Sequence, residues 1–351
     1  MLAIQFIRNN RDLIIEAQKK RNFNVEKIID DIIKLDTLKR VKQSELENKL
    51  AKSNIIAKEI GALYKAGDEK KVSYLKKESS ALKTSTKIIQ DKLTKIGNEI
   101  LELRTKIPNI PNENVPHGES EMDNEEIFKS DIFINLPKNA IPHWELAKKY
   151  DIIDFDLGSK ISGSGFPVYK NKGARLQRAL INFFLDQNIY AGYDEYQVPH
   201  LVNSESGFGT GNLPDKEGQM YHVREDDLYL IPTAEVPLTN IYRNVLLKES
   251  DLPICVTGYT PCFRREAGSY GAQVRGLNRL HQFDKVEIVR LETPGKAINA
   301  LEGMVEHVKK ILSALELPYR ILKLCGGDLG FTSSLTYDFE IFSAAQERWL
   351  E

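Results

Sequence analysis

Residues 262–287 read CFRREAGSYGAQVRGLNRLHQFDKVE, and this stretch decides the fold class that we predict. Two strand-like segments flank a loop in which Gly268, Gly271 and Gly276 leave the backbone free to close over a ligand. The stretch holds four arginines and two glutamates, although the net charge of the 351-residue chain is only -1. Opposed charges therefore concentrate around one predicted pair of strands.

Side-chain alternation predicts how these charges divide between the two faces of the sheet. Side chains at i and i+2 share a face of a strand, so we expect Arg264 and Glu266 to point the same way. After the loop, the same rule gives a polar face and an apolar face, which consist of Arg279, Phe283 and Glu287 and of Leu280, Val286 and Ile288, respectively. Guanidinium groups fit phosphate or carboxylate oxygens, and an aromatic ring offers a stacking face for a base.

The alternative interpretation is a set of cross-strand ion pairs on a solvated sheet face. A second segment weakens that alternative, because Pro232-Thr-Ala-Glu235 again places a threonine and a glutamate two residues apart at the end of an apolar strand. The repetition favours a cleft lined by polar side chains.

Residues 26–106 differ from everything that follows them. They contain no proline, and apolar residues recur at helical intervals on both sides of the turn-like Ala66-Gly-Asp-Glu69. The pattern predicts two helices of about 38 residues, each about 57 Å long at 1.5 Å per residue. A narrow apolar stripe on each helix is typical of an antiparallel coiled-coil hairpin.

The charge of this segment allows two interpretations. It holds 19 Lys/Arg against 13 Asp/Glu, a surplus of six positive charges. One interpretation is an ordinary solvated coiled-coil face. The other is an arm for a polyanion, since phosphate binding by a lysine-rich surface releases counterions. No base-reading motif is visible, so such an arm would recognise RNA by its backbone and shape.

A proline-rich segment, residues 107–117, ends the hairpin and predicts a boundary between domains 1–110 and 111–351. The texture becomes globular from about residue 140, with a predicted helix over residues 173–188 and a predicted strand over residues 193–202. Helices and strands that lack a regular βαβ alternation argue for an α+β fold with an antiparallel sheet.

Overall composition excludes several classes of protein. Hydrophobic residues make up 41% and charged residues 28% of the chain, which excludes wholesale disorder. No apolar run approaches the roughly 18–20 residues that span a bilayer, and the N-terminus lacks a secretory signal pattern. Three cysteines without a CxxC pair predict neither a disulfide framework nor a zinc site, so we expect a cytoplasmic protein.

Several segments together resemble one family. Residues 263–266 (FRRE), 279–283 (RLHQF) and 285–287 (KVE) closely resemble motif 2 of class II aminoacyl-tRNA synthetases in its seryl form. Thr233-Ala-Glu235 resembles the serine-recognition TxE motif, and the helix from Gly173 into the strand with Pro199 resembles motif 1, the dimer-interface element. The hairpin is similar to the arm that seryl enzymes use against the long variable arm of their tRNA.

The resemblance implies a class II catalytic domain built on an antiparallel sheet and preceded by the coiled-coil α-hairpin. It also implies ATP-dependent activation of L-serine to seryl-adenylate and transfer of serine to tRNA(Ser), and to tRNA(Sec) where that tRNA is present. The enzyme would be a homodimer that uses Mg²⁺ with ATP and has no membrane partner.

The resemblance also implies a role for each matching residue. Arg264 and Arg279 are the implied catalytic residues, which hold the α-phosphate with the serine carboxylate and the γ-phosphate, respectively. The implied serine-binding residues are Thr233, Ala234, Glu235, Arg264 and Glu287; the first, third and last of the glutamates and threonine share the ammonium and the hydroxyl in a division that stays open. The implied ATP-binding residues are Arg264, Arg265, Glu266, Leu280, Phe283 and Glu351.

Within that set, Glu266 accepts a hydrogen bond from the adenine amino group, Phe283 stacks on the ring, and the backbone near Leu280 contributes hydrogen bonds. Arg265 departs from the usual small residue, and by strand alternation its side chain faces away, which implies a structural role. Glu351 matches the glutamate that opens a Glu-Val-Ser-Ser segment and holds the metal. Because it is the last residue, we expect a chain truncated before motif 3 and inactive by itself.

Three rival functions are weighed against this one. A truncated or paralogous tRNA-binding protein without chemistry would not need Arg264, Glu266, Arg279 and Glu287. Ligases that activate an amino acid for a carrier protein lack the long arm, and a purely structural coiled coil leaves the motif 2 match unexplained. A Walker-type phosphate loop fails, because residues 163–166 (GSGF) are not followed by GK[ST].

Overall fold

The computed structural model describes residues 1–132, 136, 139–215, 218–266 and 275–351. Gly268 and Gly271 therefore lie outside the described residues. The chain divides into two compact units, of which the first comprises Met1–Glu125 with Lys323–Thr336 and the second comprises Glu126–Leu322 with Tyr337–Glu351. Within the described part of the chain, no helix is long and apolar enough to cross a membrane.

The first unit is dominated by the predicted hairpin. Its helices are α1 (Ile4–Asn9), α2 (Arg11–Gln18), α3 (Glu26–Ala66) and α4 (Glu69–Arg104). Helix α3 ends at Gly67, which takes a left-handed φ of 75° that glycine adopts without strain. The carboxylate of Asp68 then accepts the backbone N–H of Lys71 at 3.2 Å and caps α4. The predicted turn is thus confirmed residue by residue.

Apolar packing is concentrated at the base of the hairpin. The buried cluster there consists of Ile7, Ile14, Val25, Ile29, Ile32, Ile96, Ile100 and Ile107. Farther along the hairpin, Leu46 packs with Ile89 and Leu93. The seam between two helices is one stripe wide, so apolar residues at its edge stay in contact with water.

Two stripe residues show that edge effect. Leu38 and Leu50 were predicted to lie in the apolar stripe, yet they are 44% and 46% exposed. A charged residue, Asp36, is buried instead, because Arg8 pairs with its carboxylate at 2.8 Å and Arg40 at 3.3 Å. Pairing of this kind is what makes a buried carboxylate tolerable.

The remaining helices and strands build the catalytic-domain fold. The helices are α5 (His143–Lys149), α6 (Phe155–Ile161), α7 (Lys172–Tyr190), α8 (Ser204–Gly209), α9 (Glu235–Asn240) and α10 (Ala297–Ala314). The strands are β1 (Glu125–Lys129), β2 (Ile153–Asp154), β3 (Val168–Tyr169), β4 (Asp194–Glu195), β5 (Leu201–Asn203), β6 (His222–Val223), β7 (Leu228–Leu230), β8 (Ile254–Phe263), β9 (Gln282–Leu291), β10 (Tyr319–Lys323), β11 (Tyr337–Ser343) and β12 (Arg348–Leu350). They form sheets in the orders β1-β10-β11-β12, β4-β8-β9, β5-β7-β6 and β2-β3.

The long antiparallel pair β8–β9 positions the site. Its register runs from Ile254 opposite Leu291 to Phe263 opposite Gln282. Helix α7 covers one face, where Asn188 donates to the hydroxyl of Thr257 at 2.8 Å. Helix α9 covers the other face, where Leu238 packs with Val256. The α+β class and the predicted helix over residues 173–188 are confirmed.

The strand predicted over residues 193–202 is wrong as one element. It splits into β4, which pairs in parallel with β8, and β5, which pairs with β7 in a different sheet. Pro199 lies between the two strands and has no N–H to donate, so one continuous ladder is not available to this segment.

Candidate active site

Strand register places alternate residues of β8 and β9 on the face that also carries α9. Opposite pairs on this face are Cys262 with Phe283, Thr260 with Lys285, and Gly258 with Glu287. At the end of β8, the N–H of Phe263 donates to the carbonyl of Ile231 at 2.8 Å. This bond brings the segment that follows β7 beside the strand pair.

Thr233 is the centre of the polar cluster on this face. Its hydroxyl donates to Oε2 of Glu287 at 3.1 Å. The same oxygen accepts from Nζ of Lys285 at 3.0 Å and from the backbone N–H of Glu235 at 3.2 Å. The side chain is 6% exposed, so the full donor and acceptor capacity of a buried hydroxyl is used. Ala234 is fully buried beneath it against Val256 and Leu238.

Two carboxylates and one ammonium group share this small volume. Nζ of Lys285 lies 2.9 Å from Oε2 of Glu287. Burial is the main cause that raises the pKa of Glu235, the nearby charge of Glu287 raises it further, and Lys285 opposes both. Such a cluster suits a ligand that brings its own ammonium and hydroxyl, because the carboxylates accept from both groups.

Lys285 is the residue that our sequence reasoning missed. It was quoted within the motif, but it received no role. The available signal was strand alternation, since Lys285 lies two residues from both Phe283 and Glu287 and must share their face.

Arg264 lies next to this cluster, as predicted from the motif. Its Nε donates to the carbonyl of Pro232 at 3.3 Å, and its backbone N–H donates to the carbonyl of His281 at 3.0 Å. The guanidinium carbon is 5.0 Å from the centroid of the Phe283 ring, within cation–π range. The structure therefore brings the predicted phosphate-binding and base-stacking groups together.

Glu266 and Arg279 form an ion pair across the ends of the loop. Strand alternation does not account for their directions, because β8 ends at Phe263 and β9 begins at Gln282. Glu266 takes a left-handed φ of 46°, which breaks the extended geometry that the prediction assumed. Arg279 is 55% exposed and Glu266 only 12%, so the arginine side chain reaches outward from the site. Leu280 is buried beside them.

Two predicted residues lie apart from these contacts. Arg265 is exposed and uses its backbone N–H to hold the carbonyl of Gln219 at 2.8 Å. Strand alternation does not apply to its side chain either, because it follows the end of β8. Glu351 is exposed after β12. Within the described residues, no group of three or more His, Cys, Asp and Glu side chains is arranged to hold a metal ion.

Comparisons with known proteins agree with this arrangement. The Seryl-tRNA synthetase N-terminal domain model matches residues 1–111, and the model of the tRNA synthetase class II core domain (G, H, P, S and T) matches residues 220–351. The chain is 43% identical over 351 residues to the serine–tRNA ligase of Salinibacter ruber, covering 100% of this chain and 82% of that protein. It is 44% identical over 352 residues to the serine–tRNA ligase of Ureaplasma urealyticum, covering 100% and 84%.

A solved structure extends the likeness to three dimensions. The crystal structure of seryl-tRNA synthetase from Pyrococcus horikoshii complexed with ATP matches with a TM-score of 0.89 at 32% sequence identity. The match covers 100% of this chain and 83% of that chain. Fold and sequence thus point to the same group of enzymes.

Proposed function

The chain belongs to the seryl-tRNA synthetase family, the class II serine–tRNA ligases, and from that membership we propose how its residues divide the reaction. The carboxylate of L-serine attacks the α-phosphorus of ATP, and the bond to pyrophosphate breaks as seryl-adenylate forms. The 2′- or 3′-hydroxyl of the terminal adenosine of tRNA(Ser) then takes the acyl group and releases AMP. Where a cell contains tRNA(Sec), the same second step charges it with serine.

The observation that carries the serine assignment is the cluster around Thr233. Its hydroxyl, together with the carboxylates of Glu235 and Glu287, forms a compact set of acceptors for an ammonium and a hydroxyl group. A site built to hydrogen-bond a substrate hydroxyl discriminates strongly against an analogue that lacks it, since buried polar groups would then stay unpaired. Serine rather than alanine is therefore the substrate that this cluster favours.

ATP recognition falls to the residues around the loop. Arg264 takes the α-phosphate and the serine carboxylate, Glu266 and Phe283 take adenine, and Arg279 takes the γ-phosphate. For this, the ion pair between Glu266 and Arg279 must open. A largely exposed ion pair contributes about 0–1 kcal/mol, whereas a charge-assisted hydrogen bond to a ligand contributes about 1.5–3 kcal/mol, so ATP displaces the pair.

The chemical step itself needs little acid or base from the protein. Bringing two anionic reactants together and neutralising the charge that moves to pyrophosphate accounts for most of the acceleration. Mg²⁺ supplies part of that neutralisation when it is bound with ATP. The exposed carboxylate of Glu351 offers the hard oxygen that Mg²⁺ prefers, and ATP phosphates and water complete its shell.

We assign tRNA binding to the α3–α4 hairpin. It carries 19 Lys/Arg against 13 Asp/Glu, and its lysines lie on exposed helical surface. Polyanion binding by such a surface is shape-dependent and weakens with salt. The long variable arm of tRNA(Ser) is the partner that fits.

We also propose that the active form is a homodimer and that it works in the cytoplasm. The motif 1 helix α7 has apolar side chains in solvent, with Leu176 55% and Tyr190 83% exposed in the isolated chain. Burial of such residues is the usual driving force of association. An enzyme that supplies seryl-tRNA serves translation, which places it with the ribosomes.

The direct test of the first step is ATP–pyrophosphate exchange with each amino acid in turn. The protein should support exchange with serine in preference to alanine, threonine or cysteine. Arg264→Ala should reduce serine-dependent exchange by about 100-fold or more, because it removes a charge that both reactants share. Preference for any other amino acid would overturn the substrate assignment.

A further inference from the structure

The returning limb of the loop between β8 and β9 is held by α5, an element to which the proposed chemistry gives no role. The backbone N–H of Leu277 donates to Nε2 of His143 at 2.7 Å. Gly276 lies so close that a Cβ at this position would be 2.2 Å from the same nitrogen, and its φ is 74°. Both features require the imidazole to fit against the backbone of the limb.

A second element joins the same contact. Gln346, in the turn between β11 and β12, places its side-chain nitrogen 3.4 Å from Nδ1 of His143. Its Oε1 accepts from the side chain of Asn278 at 3.1 Å, and its nitrogen donates to Ser343 at 3.1 Å. The imidazole therefore lies between the limb that leads to Arg279 and the turn that leads into β12.

The groups around the imidazole favour its neutral form. Arg348 of β12 and burial lower the pKa of His143, with burial the larger cause. On the limb, the guanidinium of Arg275 lies 5.0 Å from the ring of Trp144 and 3.8 Å from the carboxylate of Glu145. Nε2 can accept from Leu277 only while it carries no proton.

We propose that His143 is a positioning residue for ATP: its neutral imidazole holds the limb that carries Arg279 and links it to the β11–β12 turn. This inference rests on the proposed function for the identity of the nucleotide. Without the contact, Arg279 loses its fixed approach to the phosphates, while the serine cluster around Thr233 keeps its own hydrogen bonds. The loss should therefore fall on ATP and spare serine.

The test compares His143→Leu with His143→Gln, in which the amide oxygen can replace Nε2 as acceptor. Gly276→Ala is the second variant, since it displaces the imidazole without altering it. His117→Gln, at an exposed histidine in the other unit, is the control. Hydrogen exchange of the Leu277 amide and equilibrium binding of ATP alone are measured, and KM values come from ATP–pyrophosphate exchange.

His143→Leu and Gly276→Ala should each accelerate exchange of the Leu277 amide and weaken ATP binding by about tenfold, the scale of one lost buried hydrogen bond. His143→Gln should stay within about threefold of the unaltered protein. KM for serine should stay unchanged in all of them. In the unaltered protein, the protection of Leu277 should fall as pH drops below 6.5 through the lowered pKa of His143, and His143→Gln should lack this fall.

Unaltered exchange at Leu277 in both His143→Leu and Gly276→Ala would overturn the proposal, as would equal losses for ATP and serine. The amide and ATP-binding measurements need no amino acid. If they follow the prediction while exchange prefers another amino acid, the positioning role stands and the serine assignment fails.

Discussion

The hairpin and the β8–β9 strand pair are stabilised in different ways. Along α3 and α4, one helical period decides which residues meet, and the seam consists of repeated apolar contacts such as Leu46 with Ile89. At the strand pair, Thr233 meets Glu287 from 54 residues away and Lys285 from 52. The difference teaches that the hairpin depends on a pattern, whereas the site depends on particular side chains at particular register positions.

The largest expected effect on stability lies at the base of the hairpin. Ile29 is fully buried in the cluster with Ile7 and Ile14, so Ile29→Ala should cost about 2–5 kcal/mol of unfolding free energy. Leu38→Ala, on the same helix at an exposed position, is the matched control and should cost less than about 1 kcal/mol. Urea denaturation measures both. Equal losses would show that the hairpin has no packed seam.

The next effect should appear at the strand pair and leave stability nearly unchanged. Glu287→Gln keeps the shape of the side chain but removes the charge that faces the serine ammonium. Loss of one charge-assisted hydrogen bond of about 1.5–3 kcal/mol should raise KM for serine roughly 10-fold to 150-fold. Glu306→Gln, at an exposed position on α10, is the control. A KM for serine that does not change would remove Glu287 from the ammonium site.

A smaller effect, seen chiefly in pH dependence, is expected at Lys285. Ionised Glu235 binds the ammonium, so KM for serine should rise as pH falls through the raised pKa of Glu235, above its usual value of 4.5. Lys285→Met removes the charge that lowers this pKa, so the rise should begin at a higher pH. Lys285→Arg should restore the original profile. Superimposable profiles for all three proteins would contradict the electrostatic account of the cluster.

The same raised pKa has a consequence for stability. Burial favours the protonated form of Glu235, so its contribution to folding is fully present below pH 4.5. That contribution is lost as pH rises through the raised pKa. Its sign is opposite to that of His143, whose lowered pKa stabilises the folded state above pH 6.5 and loses that contribution as pH falls.

The smallest effect should lie on the hairpin surface. Lys52 pairs with Glu78 at 2.8 Å, but its side chain is 60% exposed. Solvent screening limits such pairs to about 0–1 kcal/mol, so Lys52→Ala should barely move the urea midpoint. A loss as large as that of Ile29→Ala would mean that surface charge, and not the apolar seam, holds the two helices together.

The sequence could predict the hairpin and its turn because each signal is local. Gly67 and Asp68 have the chemistry of a helix end and a helix start, and the structure uses them so. The motif 2 and TxE residues were predicted from a family resemblance, and the fold brings Thr233, Arg264 and Glu287 together. Local rules failed where the strand geometry stops, as at Glu266 with its left-handed φ. They could not show that Lys285 neutralises two buried carboxylates, since that depends on pairing between distant segments.

The division of labour between hairpin and strand pair is the central claim, and one internal deletion tests it. Residues 50–84 are replaced by a short glycine-rich turn, because Lys49 donates to Ser85 at 2.6 Å and the cut ends already meet. This deletion keeps the base cluster and the contact of Leu46 with Ile89. Serine-dependent ATP–pyrophosphate exchange and charging of tRNA(Ser) are then measured on the same preparation. Exchange should persist while charging collapses, and charging that survives the deletion would contradict the account.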